Sequence, residues 1–233
     1  YAGASWIRAR PAVPPALKAS LALLPFGNST GDARYDWTRS GLPDLLRSDL
    51  QQSGSIRVPG EGRVAEVLGS LKLDPAGEID AAAMARVVRL LGTDGALTAR
   101  LLKAGGKFRI EARVVRGGAS PASGDGAIRV DGDGEDALFG MVDELGRKVR
   151  EELGVGRGWG ESRHGARALS TRSVEALRDY ALGASLARRG SDLDAVKHLE
   201  AALSKDGDFA IARALLAETY DRLGRRDDAR REA

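Results

Sequence analysis

Cysteine is absent from the 233-residue sequence, and histidine occurs only twice, at His164 and His198. Without cysteine the chain has no disulfide bonds, no thiolate-ligated zinc and no thiol nucleophile. Two histidines so far apart do not make the multi-ligand pattern of a zinc site. We therefore predict no metal site and no cysteine-based catalysis.

Aromatic residues make up only 5% of the chain, so aliphatic and alanine-rich packing has to build the core. The sequence also lacks any run of about 20 apolar residues, the length that spans a bilayer. Its hydrophobic content of 42% is nevertheless ordinary for a chain that folds. The composition predicts one large or two modest globular domains.

Charge of one sign is not concentrated anywhere along the sequence. The chain holds 36 Lys and Arg against 33 Asp and Glu, a formal net charge of +3. Residues 155–233 contribute 15 and 13 of these, and residues 1–154 contribute the other 21 and 20. Nucleic-acid-binding proteins usually gather basic residues on one face. The interleaved charges therefore predict no nucleic-acid partner, in spite of a pI near 9.3.

Two glycine-rich stretches invite comparison with nucleotide-binding loops. The segment LPFGNSTGD, residues 24–32, holds no lysine, whereas a Walker loop requires Gly-x-x-x-x-Gly-Lys-Ser/Thr. The stretch 155–170 follows a helical pattern, whereas a dinucleotide fingerprint follows a strand. We interpret the first as a connection from a strand to a helix and the second as a linker. No catalytic residue and no cofactor are predicted.

The sequence begins with small and apolar residues that lead to Trp6, followed by Arg8, Arg10 and a proline-rich spacer. An interfacial Trp followed by cations and a stiff linker is typical of the end of a membrane helix. Residues 1–19 are therefore predicted to be a juxtamembrane or linker segment, with a membrane helix before Tyr1. A disordered chain end is the alternative.

Strand and helix patterns alternate over residues 20–154. The apolar run Ser20–Phe26 predicts a buried strand, and leucines at helical spacing from Leu42 to Leu50 predict a helix. That helix has Pro43 near its start and Gly54 just past its end. A short strand (55–60) and a helical turn or two (62–71) follow.

The second half of this region continues with a helix, a hairpin and a long helix. Asp80 and Gly92 are placed as the N-cap and the C-terminal stop of the helix. Polar and apolar residues alternate around Gly105-Gly106, which predicts a β-hairpin, and AIRV (127–130) predicts a further short strand. The acidic run 131–136 is interpreted as a turn and a helix start. Apolar residues at helical spacing within 135–153 predict an amphipathic helix. The order β-α-β-α-α-β-β-β-α predicts a mixed-sheet α/β (α+β) domain.

From Thr171 onward the sequence is helical and repeats itself at an offset of 34 residues. The matching pairs are Leu182 with Leu216, Gly183 with Ala217, Leu186 with Tyr220, Gly190 with Gly224 and Ala195 with Ala229. Small residues recur where two helices approach closely, and glycine recurs where the chain reverses. This pattern resembles the tetratricopeptide (TPR) repeat. Residues 171–233 are predicted to hold an all-α TPR segment, whose second repeat is truncated. Either further repeats or packing against the α/β domain would stabilise this short segment.

The stretch from Ser20 to Leu153 resembles the TolB N-terminal-like (FlgO-like) domain. The resemblance rests on Leu24-Pro25-Phe26, Asn28, Gly31-Asp32, Gly41-Leu42 and Arg57-Val58, and on the segment 87–115. One departure is a Pro/Gly/Ser loop before AIRV, where the family usually has a Trp-bearing segment. A TolB-like domain followed by TPR repeats is similar to the non-catalytic half of bacterial receptor-type serine/threonine kinases and related signalling proteins.

The resemblance implies an extracytoplasmic sensor or protein-interaction module, anchored in a bacterial inner membrane, that docks an unidentified protein or peptide on a TPR surface. By analogy with the geometry of the repeat, six residues would face the partner. They are Tyr180, Ala184, Arg188, Ala214, Glu218 and Arg222.

Three alternatives remain open at this stage. One is a small-molecule sensor with a pocket near Asn28, Tyr35 and Trp37, although the aromatic residues would equally cover the core. Another is a free-standing periplasmic adaptor. A third is an enzyme with a site that the sequence does not reveal. The arginines after Trp6 favour the cytoplasmic side by the positive-inside rule, whereas the family resemblance favours the outside.

Overall fold

The structure, a computed structural model, describes residues 19–52, 54–74, 77, 79–117, 126–155, 171 and 173–233. Its strands are β1 Ala19–Leu23, β2 Gly27–Ser29, β3 Ile56–Arg57, β4 Gly95–Ala104, β5 Lys107–Arg116 and β6 Gly126–Asp133. Its helices are α1 Thr38–Gln52, α2 Glu61–Ser70, α3 Ala81–Leu91, α4 Ala137–Glu152, α5 Val174–Arg188, α6 Asp192–Lys205, α7 Ala210–Arg222 and α8 Arg226–Glu232. A 3-10 turn, Ala33–Tyr35, precedes α1.

The strands form one mixed sheet in the order β3-β1-β4-β5-β6. β1 is parallel to β3 and β4, whereas β4, β5 and β6 are successively antiparallel. β2 continues along β4 after β1 ends, also in parallel. The described helices after β6 and α4 form an all-helical segment. This confirms the predicted fold class, a mixed-sheet α/β domain followed by helices.

The two faces of the sheet are covered by different helices. Leu21 and Leu23 of β1 belong to a core cluster with α1 and α4, whereas Ala22 and Leu24 belong to a cluster with α2 and α3. This division follows from the two-residue period of a strand. The first cluster continues without a break into α5, α6 and α7. The helical segment therefore shares its core with the α/β domain.

Local signals explain the best-predicted elements. The backbone N–H of Ala83 donates to the Asp80 carboxylate at 2.7 Å, and Gly92 ends α3 with a left-handed φ of 60°. Gly105 adopts φ 59° in the two-residue turn between β4 and β5, as a tight hairpin requires. The predicted apolar stripe of α4 is buried. Side-chain capping and glycine at left-handed positions act locally, so sequence alone predicts them.

Several predicted boundaries are wrong. The strand predicted at Ser20–Phe26 stops at Leu23, and Gly27–Ser29 forms β2 where we predicted only a connection. The acidic run begins inside a strand, because β6 extends to Asp133 and pairs Asp131 with Arg109. By contrast, α2 (Glu61–Ser70) lies within one residue of the helical segment predicted at 62–71. In β2 and β6 pairing with a neighbouring strand outweighs the turn preference of Gly, Asn and Asp.

The helical segment repeats its turns at the predicted offset of 34 residues. Gly190 donates to Ala187 O at 3.1 Å, and Gly224 donates to Asp221 O at 2.9 Å. Both glycines have left-handed φ angles, 76° and 74°. Two consecutive helical hairpins, α5–α6 and α7–α8, therefore close with the same geometry.

Some predictions fall on parts of the chain that the structure does not describe. They concern the juxtamembrane residues 1–18, the loop 118–125 and all of the linker except Val155. The domain boundaries at 154–155 and 170–171 accordingly stay a prediction. Across the described ranges, no helix is both long enough and apolar enough to span a membrane.

Candidate functional site

The six predicted docking residues divide into two sets with different surroundings. Tyr180 and Ala184, on α5, are 6% and 2% exposed. Arg188, at the end of α5, has a side chain that is 33% exposed. The corresponding set on α7 is exposed. It consists of Ala214, Glu218 and Arg222.

The α5 set contacts the chain's own α/β domain. The Tyr180 hydroxyl lies 3.5 Å from a carboxylate oxygen of Asp44 in α1. Arg188 forms an ion pair with Glu61 of α2 at 2.9 Å and approaches Asp44 at 4.0 Å. Within α1, Arg47 pairs with Asp44 at 2.5 Å. The face of α5 that was predicted to receive a partner thus receives α1.

A close approach of two small residues sets the spacing of α1 and α5. A Cβ placed on Gly41 of α1 would lie 3.2 Å from the Cβ of Ala181 and 2.9 Å from the Trp37 ring. Ala181 is 1% exposed and Trp37 is 6% exposed. A side chain larger than hydrogen at position 41 would therefore push the helices apart or displace the indole.

Burial of the carboxylates between α1, α2 and α5 changes their acidity. Desolvation raises the pKa of Asp44, although Arg47 and Arg188 oppose the shift. Desolvation and the nearby Asp44 charge likewise raise the pKa of Glu61. Burial raises the pKa of Tyr180 well above its usual value. The hydroxyl of Tyr180 consequently stays protonated and faces Asp44 as a donor.

A second polar contact joins the same two parts of the chain. The Tyr35 hydroxyl donates to Glu135 at 2.5 Å and accepts from Lys103 at 2.9 Å. Glu135 also pairs with Arg178 of α5 at 3.5 Å. The ring of Tyr35 packs edge-on against Phe108, with ring centroids 5.3 Å apart. Polar contacts therefore hold α5 at both of its ends.

The three predicted ligand-pocket residues all make contacts within the chain. The Asn28 amide donates to Asp36 at 2.9 Å and to the Asp32 carbonyl at 3.0 Å, which fixes the turn after β2. The Tyr35 hydroxyl is hydrogen-bonded to Glu135 and Lys103. Trp37 packs between α1 and α5, with its indole N–H buried and unpaired among the described atoms. The ligand pocket stays a prediction.

The α7 set is the accessible part of the predicted docking face. Arg222 pairs with Glu218 at 2.8 Å and with Asp192 of α6 at 2.9 Å. Ala214 lies one turn before Glu218 on the same helix. These side chains form an exposed surface with one cation between two carboxylates.

Sequence reasoning missed the residues that receive α5. Asp44 and Glu61 were not singled out, and Gly41 was named only for the family resemblance, although two signals were present. A glycine inside an apolar helix often marks a close helix–helix contact. An acidic residue between core leucines, as at Asp44, needs a partner when it is buried. In the described part of the chain, no group of three or more acidic, His or Cys side chains is arranged to hold a metal ion.

No protein-family model matches the sequence, and no curated protein matches it either. Solved structures match with low identity. The LpoB C-terminal domain from Salmonella enterica is 13% identical over 49% of this chain and 83% of that chain, with a TM-score of 0.40. Lipoprotein GNA1162 from Neisseria meningitidis is 18% identical over 58% of this chain and 98% of that chain, with a TM-score of 0.41.

TolB from Acinetobacter baumannii also matches. It is 14% identical over 61% of this chain and 30% of that chain, with a TM-score of 0.40. At these identities and TM-scores, we draw neither function nor compartment from the matched proteins. The tetratricopeptide assignment stays a prediction.

Proposed function

We propose that this chain is an adaptor module that recognises a protein or peptide partner on its helical segment. The α/β domain supports that segment by holding α5. The partner binds the exposed face of α7, at Ala214, Glu218 and Arg222.

One observation carries the proposal: α5 packs against a helix through the positions that are equivalent to the exposed set on α7. Tyr180, Ala184 and Arg188 lie 34 residues before Ala214, Glu218 and Arg222, respectively. On α5, Tyr180 and Arg188 approach Asp44 of α1 and Ala184 is buried, whereas the equivalent positions on α7 are exposed. Helical grooves commonly receive an amphipathic helix in this manner. The same positions on α7 are thus suited to a helix from a partner.

The contact between α1 and α5 also indicates the chemistry of such a partner. α1 presents a glycine, Gly41, next to Ala181 and one carboxylate, Asp44, near Arg188. On α7 the equivalent cation is Arg222, which now pairs with Glu218 and Asp192. A partner helix with a small residue and a nearby carboxylate would replace these intramolecular pairs. The pair with Glu218 is exposed and contributes little, so its exchange costs little.

Photo-crosslinking tests the proposal. A benzophenone amino acid replaces Ala214 in the protein, which is expressed in the organism that encodes it. A second protein carries the same probe at Lys197, an exposed position on α6. We expect a defined crosslinked protein from position 214 but not from position 197, and Arg222→Glu should weaken the crosslink. The same products from both positions, or none from 214, would contradict the proposal.

The proposal places the adaptor outside the cytoplasm of a bacterium. This part rests on the resemblance to TolB-like domains combined with TPR repeats. A free-standing adaptor and one half of a signalling receptor both fit this placement. Fractionation of cells that produce the tagged full-length protein would check the compartment. Recovery with the cytoplasmic fraction would contradict this compartment and would indicate a cytoplasmic adaptor.

A further inference from the structure

Part of one sheet face carries no helix in the described structure. α2 and α3 cover this face near Ala22, Leu24, Ala96 and Val115. Further along β4, and across β5 and β6, the residues that point to this face are mostly polar. They are Thr98, Arg100, Leu102, Ala104, Lys107, Arg109, Glu111, Arg113, Ala127, Arg129, Asp131 and Asp133. We call this surface the open sheet face.

The strand register arranges these side chains in rows. Arg100, Glu111 and Arg129 form one row across the three strands, and Leu102, Arg109 and Asp131 form the next. Rows on one face are about 7 Å apart along the strands, and adjacent strands are about 5 Å apart. The open sheet face therefore presents regularly spaced and mostly charged side chains.

Ion pairs within the rows hold the arginines in place. Glu111 pairs with Arg100 at 2.8 Å and with Arg129 at 3.8 Å, and Asp131 pairs with Arg109 at 2.6 Å. Hydrogen bonds from these arginines lower the pKa of Glu111 and of Asp131, so both remain ionised. The side chains of these three arginines are nevertheless largely exposed, from 48% for Arg109 to 72% for Arg129. The guanidinium groups are oriented and still accessible.

Positive charge is in excess on this surface. Five cations, four of them arginines, stand against three carboxylates, which leaves a net charge of +2. Arginine is enriched in protein interfaces, where it binds carboxylates in a bidentate manner. We propose that the open sheet face binds an acidic surface of a protein partner. This site is on different elements from α7, so it does not depend on the function proposed above.

An acidic polypeptide fits this surface better than a nucleic acid does. None of the twelve residues on the face is aromatic, so none can stack on a base as in sheet-based RNA recognition. The three carboxylates find no hydrogen-bond donor on a phosphate backbone. The same carboxylates can accept hydrogen bonds from the backbone or basic side chains of a protein.

Fluorescence anisotropy with two labelled probes tests the proposal on the full chain. The probes are an oligo-glutamate peptide and an oligo-thymidylate of equal charge. The face variant combines Arg113→Gln with Arg129→Gln, which keeps an extended side chain on each strand. Its control combines Arg63→Gln on α2 with Arg89→Gln on α3 and removes the same net charge from exposed positions elsewhere.

We expect the peptide to bind at low ionic strength and the face variant to weaken its binding about tenfold, as for lost charge-assisted contacts. The control should change binding by less than about twofold, and the oligo-thymidylate should bind more weakly than the peptide. A second face variant, Arg100→Gln with Lys107→Gln, should repeat the loss from other strand positions. Equal effects of face and control variants, absence of peptide binding, or tighter binding of the oligo-thymidylate would each overturn the proposal.

Discussion

Replacement of Gly41 by alanine tests the contact that joins the helical segment to the α/β domain. Gly41 is the fourth residue of α1, and Gly140 is the fourth residue of α4. A Cβ on Gly140 meets nothing within 4 Å. A Cβ on Gly41 meets Trp37 at 2.9 Å and Ala181 at 3.2 Å. The two substitutions are therefore matched in helix position but not in surroundings.

The structure sets the size of the expected difference. Alanine is favoured over glycine in a helix by about 1 kcal/mol, and this gain applies to both positions. Gly140→Ala should therefore stabilise the protein by up to about 1 kcal/mol. At Gly41 the added methyl group overpacks a buried contact, which costs about 1–3 kcal/mol. Since the helix term cancels, the free energies of unfolding of the two variants should differ by about 1–3 kcal/mol.

Urea denaturation followed by circular dichroism measures this difference. Thermal unfolding provides a second measurement, in which the midpoints of the two variants should differ by about 2–4 °C for each kcal/mol in a chain of this length. The wild-type chain and both variants should show equal helix content before unfolding. Equal stabilisation by the two substitutions would refute the close packing of α1 on α5 at Gly41.

Three further predictions concern neighbouring contacts. Gly183→Ala should destabilise the protein by up to about 2 kcal/mol in the same assay, since its Cβ would lie 2.8 Å from Leu199 Cγ and 3.2 Å from the Ala195 carbonyl, and this overpacking outweighs the helix preference for alanine; a gain in stability would contradict this. Tyr35→Phe should cost about 1 kcal/mol, because it keeps the ring contact but removes the hydroxyl between Lys103 and Glu135; an unchanged melting temperature would argue against that link. The raised pKa of Asp44 means that its contribution to stability is complete below its unfolded pKa and is lost as the pH rises through the folded pKa. We therefore expect the stability of Asp44→Asn, relative to wild type, to increase as the pH rises from about 4 to about 7. Free energies of unfolding measured across this range check the prediction, and a constant difference would show that Asp44 is not desolvated.

The sequence predicted those elements whose signals lie within a few residues. Asp80 and Gly92 bracket α3 because a cap and a left-handed glycine act on the adjacent backbone. The hairpin around Gly105 and the repeated turns at Gly190 and Gly224 were predictable for the same reason. The fold class followed from the order of these elements.

Pairing and docking between distant segments were decided by the tertiary structure. β2 exists because Gly27–Ser29 lies beside β4, although its residues favour a turn. The α5 face was predicted to be open, but Tyr180 lies 3.5 Å from Asp44, which is 136 residues earlier in the chain. Helical periodicity determined that Tyr180, Ala184 and Arg188 share one face. Only the packing of α1, with Gly41 at the closest approach, determined what that face contacts, because burial depends on neighbours that local sequence does not specify.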